Sequence, residues 1–184
     1  SGDWSSDVCS SDLNYFSSFL SWYFLSMTNL KDLYTIAIKR GSKIVSAESC
    51  TAGLLAACLT EMPGSSAFFE QGYITYSNRS KISVLGVDKK TLERHGAVSE
   101  EVAKQMAKGA LNKSRGTIAI SITGIAGPGG SDYKPEGLVC FAIAKKNGEI
   151  RVETMEYGSL GRRNIRSSAV DKAIELLHEE LSVA

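Results

Sequence analysis

A serine at a strand-to-helix junction is the first place in this chain where chemistry could reside. The segment Ala47-Glu48-Ser49-Cys50-Thr51-Ala52-Gly53 joins a β-type run at 43–47 to a helix predicted from about Thr51 to Glu61. Backbone N–H groups at such a junction have no helical partner, so the turn can present a hydroxyl and also meet a developing oxyanion. The same position suits a plain helix cap, and Ser49, Cys50 and Thr51 all qualify. A serine nucleophile needs a base. The two histidines are poorly placed: His178 falls on the polar side of a predicted C-terminal helix, and His95 in a predicted loop, Arg94-His95-Gly96. That leaves lysine, if burial or neighbouring positive charge lowers its pKa. Lys81 lies in the first turns of a short helix (78–85) that follows a strand (70–76) ending at Tyr76. A phenol and an ammonium five residues apart across that corner can face one pocket, where Tyr76 would relay a proton or hold the lysine neutral. A core tyrosine and a solvated lysine fit the same spacing. A rival nucleophile is Cys50, because a helix N-terminus can lower a thiol pKa.

A third segment, Thr123-Gly124-Ile125-Ala126-Gly127-Pro128-Gly129-Gly130, follows the β-type run TIAISI (117–122). Its glycines let N–H groups approach an anion closely, or simply make a tight connection. It lacks the Gly-Lys-Ser/Thr ending of a phosphate-binding P-loop and the G-x-G-x-x-G pattern. Ser131-Asp132-Tyr133-Lys134 matches S-x-x-K literally, but Pro135 and Gly137 follow at once, so the serine does not open a helix. Arg162, Arg163 and Arg166 could hold a phosphate or carboxylate, or stand solvated at a helix start.

These segments need a scaffold. The 184 residues fit one domain with a real core. A net charge of +1 gives no broad footprint for nucleic acid. The four cysteines (Cys9, Cys50, Cys58 and Cys140) form no C-x-x-C pair and have no histidine at metal-ligand spacing. They predict a reducing, cytoplasmic compartment. Leu30, Leu33, Tyr34, Ala37 and Ile38 recur at helical spacing over 28–40. Ser99 caps a helix whose stripe is Val102, Ala103, Met106 and Ala110. Two strands, 138–144 and 150–156, meet through Asn147-Gly148, a hairpin signal. A last helix over 162–182 carries Ile165, Ala169, Ile174, Leu177 and Leu181 on one side. The alternation predicts an α/β layer fold with a mixed sheet and one domain. If the strands ending near 47, 76 and 122 run parallel, Ser49, Tyr76 and Thr123 converge on the sheet edge where ligands bind. Residues 1–26 stand apart: a Ser/Asp-rich start, then the aromatic run YFSSFLSWYFL, too short and too serine-broken for a membrane span. They are read as a flank foreign to the domain, which then occupies 27–184.

Taken together, AESCTAG (47–53), PGSS (63–66), GYITYSNRSKISVLGV (72–87), GAVSEEVA (96–103) and SITGIAGPGG (121–130) resemble the C-terminal domain of the competence/damage-inducible CinA family, whose stand-alone form is nicotinamide-nucleotide amidase. The resemblance covers about Leu30 to Leu181. It implies a three-layer α/β/α fold with a mixed, mostly parallel sheet, and hydrolysis of the carboxamide of nicotinamide mononucleotide without metal or cofactor. It also implies a small-molecule nucleotide as partner, with no nucleic acid or membrane, and a homo-oligomer. By the same resemblance Ser49 is the nucleophile and Lys81 the base, with Tyr76 beside it. Cys50, Thr51, Gly53, Thr123, Gly124, Ala126, Gly127 and Arg162 are substrate contacts. Glu136 departs from the family pattern, where a small apolar residue is common. A non-catalytic nucleotide-binding module is the alternative; it would need the glycine loop and arginines but not Lys81.

Overall fold

A computed structural model describes residues 29–183; the flank 1–26 lies outside them. Helix α1 (29–39) leads into β1 (Ile44–Glu48), followed by α2 (Leu54–Leu59), a 3₁₀ turn (Ser65–Ala67) and β2 (Phe69–Ile74). Then come α3 (Asn78–Leu85), α4 (Lys89–His95), α5 (Glu100–Asn112), β3 (Ile118–Gly124), β4 (Leu138–Lys145), β5 (Ile150–Glu156) and α6 (Arg162–Ser182). The sheet order is β2-β1-β3-β4-β5. β1 pairs parallel with β2 and β3, while β4 pairs antiparallel with β3 and β5. Four strands therefore run one way and β4 runs against them. The three-layer mixed fold expected from the sequence is present, and β1, β2 and β3 do end on one edge.

Side-chain alternation explains the layers. Ile44, Ile118, Ile120, Ile122, Val139, Phe141 and Ile143 point to one face, where they pack with Leu30, Leu33 and Ala37 of α1, Leu55 and Leu59 of α2, and the inner side of α6. Val45, Ala47, Ala119, Cys140, Ala142 and Ala144 point to the other, against Val102, Ala103, Met106, Ala107 and Ala110 of α5. The second face carries small residues because α5 lies close to it: Ser121 Oγ donates to the Ala103 carbonyl at 2.7 Å. α3 lies close to α5 in turn, since a Cβ on Gly109 would collide with the Leu85 carbonyl. Two expectations need correction. Ile38 is 41 % exposed, at the rim of α1's buried stripe. His95 ends a short helix rather than lying in a loop; α4 buries only Leu92, too little apolar pattern to read.

Candidate active site

The hydroxyl and the amine expected to work together do meet. Lys81 Nζ lies 2.9 Å from Ser49 Oγ, and it donates to the Thr75 carbonyl at 2.9 Å and the Tyr76 carbonyl at 3.3 Å. Each partner comes from an element fixed by its own sequence. Ser49 continues β1, its N–H donating to the Ile122 carbonyl while the Thr75 N–H donates to Glu48. Lys81 sits on α3, which starts sharply because Ser77 and Ser80 cap each other. Lys81 is 1 % exposed and Ser49 8 %. Burial disfavours the ammonium, so the Lys81 pKa falls from 10.5 to about 8.

The cap reading of the junction is resolved differently from expectation. Helix α2 begins at Leu54, after Gly53, and no side chain of the turn caps it. Glu48 does that work from the end of β1. Its fully buried carboxylate accepts from the N–H groups of Gly53 (2.9 Å), Leu55 (3.1 Å) and Ala56 (2.9 Å). An anion at a helix start is favourable, and here it takes three donors that would otherwise be orphaned. The turn is pinned from the other side by Arg166, whose Nε donates to the Cys50 carbonyl at 3.0 Å and Nη2 to the Thr51 carbonyl at 2.8 Å. Neither role was read from the sequence. An acidic residue just before a helix was the available signal for Glu48; Arg166 had only its place in an arginine cluster.

Several expected contacts are placed otherwise. The Tyr76 phenol does not adjoin Lys81; it is 59 % exposed and accepts from Arg162 Nη2 at 3.1 Å. Tyr76 meets the lysine through its carbonyl, and it lies beyond the end of β2 at Ile74 rather than closing the strand as expected. Arg162 Nη1 donates to the Gly127 carbonyl at 3.0 Å, so its guanidinium spans from Tyr76 to the glycine loop. The Thr123 side chain is buried and donates to the Ala97 carbonyl at 2.8 Å, tying β3 to the α4–α5 link. The Ala126 and Thr51 side chains are buried, and Ala126 belongs to the core. The Gly53 N–H is committed to Glu48. Gly124 is a close-approach position: a Cβ there would stand 2.7 Å from Val139 Cγ2 and 3.1 Å from the Cys50 sulfur. The Cys50 thiol is buried and pushed up to about 11, the reverse of an activated thiolate. His178 is partly buried on α6. Among the described residues no three His, Cys, Asp or Glu side chains gather as a metal site would need, and no helix is long and apolar enough to cross a membrane.

A buried serine–lysine pair at the carboxyl edge of a mixed sheet, beside an N–H-rich turn, has the parts of a covalent hydrolytic site. Comparison with known proteins gives the family. The model of the CinA C-terminal domain matches residues 28–181, and the chain belongs to that family. A CinA-like protein of Chlorobium phaeobacteroides is 50 % identical over 145 residues, which are 77 % of this chain and 34 % of that protein. The chain thus spans about a third of the length of such CinA-like relatives. The nicotinamide-nucleotide amidohydrolase PncC of Escherichia coli is 46 % identical over 142 residues, 77 % of this chain and 86 % of that protein. Among solved structures, a competence/damage-inducible protein of Agrobacterium tumefaciens superposes with a TM-score of 0.77 at 45 % identity, covering 83 % of this chain and 95 % of that one. A CinA superfamily protein of Klebsiella pneumoniae gives 0.82 at 36 % identity, covering 85 % and 98 %.

Proposed function

We propose that the chain is an amidohydrolase that cleaves the carboxamide C–N bond of a nicotinamide nucleotide, with Ser49 as nucleophile and Lys81 as base. The observation that carries this reading is the 2.9 Å contact between Lys81 Nζ and Ser49 Oγ in a buried setting. The likeness to PncC supports the substrate class.

Neutral Lys81 accepts the Ser49 proton as Oγ attacks the carboxamide carbon. The oxyanion is met by the N–H groups of Cys50 and Thr51. In the turn the Ala52 and Gly53 N–H groups already donate to Ser49 and Glu48 oxygens, which leaves those of Cys50 and Thr51 for it. A donor of this kind is worth about 10²–10³ in rate. Lys81, now an ammonium steadied by the Thr75 and Tyr76 carbonyls, passes its proton to the departing nitrogen, and ammonia leaves. Water then attacks the acyl group on Ser49, with Lys81 taking its proton and returning it to Oγ as the acyl C–Oγ bond breaks, and the nicotinate nucleotide departs. On this reading the chain serves pyridine nucleotide recycling in the cytoplasm, as a homo-oligomer.

The test is ammonia release from nicotinamide mononucleotide by the wild type and by Ser49→Ala, with a chelator control. Release that survives chelation and is lost in Ser49→Ala is expected. Near-normal turnover by Ser49→Ala overturns the nucleophile assignment; saturable binding without release supports a non-catalytic nucleotide-binding module instead.

A further inference from the structure

The loop that offers itself as an anion nest already holds an anion. Glu136 Oε2 accepts a 2.6 Å hydrogen bond from the Gly129 N–H. Gly127 lies so close to the same carboxylate that a Cβ on it would collide with the Glu136 carboxyl carbon. Gly127 and Gly129 both have positive φ, 78° and 79°, and Pro128 between them has no N–H, so the donor the loop turns toward the carboxylate is the Gly129 N–H. The glycines thus shape a concavity, and a side chain seven positions on from Gly129 fills it. Hydrogen bonds from N–H groups to a carboxylate are about twice as strong as those between neutral groups. Glu136 is only half-buried, and the loop tip from Pro128 to Gly130 is exposed, so a ligand can reach the position and exchange with the side chain.

We propose that Glu136 is an internal competitor for the anion position of the glycine loop, a specificity-determining residue that a substrate phosphate must displace in order to bind. The proposal rests on the nucleotide amidohydrolase reading. Two anions cannot both take the Gly129 N–H, and a phosphate placed beside a retained carboxylate meets like-charge repulsion. Glu136 therefore weakens binding of the phosphorylated substrate and leaves its dephosphorylated riboside counterpart, which brings no anion to the loop, unopposed. The chain discriminates between the two less sharply than its glycine loop would otherwise allow.

The experiment is a ³¹P NMR titration of the whole chain with inorganic phosphate, using wild type, Glu136→Gln and Glu136→Val. Alongside it, kcat/KM is measured for nicotinamide mononucleotide and for nicotinamide riboside. Gln keeps the side-chain size and can still accept from Gly129, so the loop retains its shape without the charge; Val removes the acceptor as well. Both variants are expected to bind phosphate about tenfold more tightly than wild type. The mononucleotide-to-riboside ratio of kcat/KM should rise by a similar factor. Phosphate affinity that is equal in all three proteins overturns the proposal. The titration needs no turnover, so the two readings fail separately. Tighter phosphate binding in a chain that releases no ammonia upholds the loop assignment and sinks the amidohydrolase. Normal turnover with unchanged phosphate affinity does the opposite.

Discussion

Two turns leave the same edge of the sheet, and they are held in opposite ways. The turn after β1 (49–53) is fixed from inside the core, by the buried Glu48 carboxylate beneath its N–H groups, the buried Lys81 amine on its hydroxyl, and Arg166 on its carbonyls. The loop after β3 (125–130) is rooted by Ala126 in the core and by Ile125 paired with Leu138 and Gly137, but its tip is held by groups that water reaches: Arg162 on Gly127 and Glu136 on Gly129. Lys134 adds a tie from the far side of the loop to the carbonyls of His95 and Val98. Partners buried with a turn are expensive to remove, whereas exposed partners can be exchanged for a ligand. The first turn is therefore suited to bond-making and the second to recognition.

The sharpest way to break this contrast is at the hydroxyl. Ser49→Ala is expected to lower ammonia release at least about 10⁴-fold, as loss of a nucleophile does, while the thermal midpoint stays near wild type because the carboxylate and guanidinium pins remain. Lys81→Met comes next, with a loss of about 10³-fold. It also erases the pH profile. Wild-type kcat/KM should climb with pH below about 8 and level above it, since the base must be neutral and burial lowers its pKa to about 8. The same shift acts on stability. Between about 8 and the ordinary lysine value of 10.5 the unfolded chain holds the proton that the folded chain has released. This group therefore makes stability rise with pH across that window and contributes no slope below it. Urea unfolding at pH 7, 8.5 and 10 (chosen to bracket about 8 and 10.5) should show the rise in wild type and lose it in Lys81→Met.

Smaller effects separate the two turns themselves. Glu48→Ala strips three N–H groups of their acceptor, and at about 1–3 kcal/mol for a buried unsatisfied group the expected loss is about 3 kcal/mol in urea unfolding. Arg162→Ala, in the exposed loop contact, should change stability by less than about 0.5 kcal/mol. If the two substitutions cost the same, the distinction between an inwardly and an outwardly held turn fails.

Much of the frame was legible because its signals are local. The TIAISI run is a strand buried on both faces, Asn147-Gly148 turns a hairpin, and Ser99 caps α5 through the Val102 N–H. The pairing of Ser49 with Lys81 was legible only through the resemblance to the CinA family, because spacing alone suited a solvated lysine at least as well. What escaped was direction. A five-residue interval placed Tyr76 and Lys81 near each other, but it could not say that the lysine would reach back to a carbonyl while the phenol turned outward to Arg162. Glu48 escaped because predicting α2 from Thr51 hid the three unpaired N–H groups of residues 53–56 that its carboxylate serves.

Arg166 belongs to α6, the last element described, yet it secures a turn laid down near the start of the fold. On the ribosome, the serine and its lysine are synthesised long before the guanidinium that braces them. A nascent chain carries the serine and lysine with the Cys50 and Thr51 carbonyls still unbraced until Arg166 is added, and the turn is finished only when α6 docks.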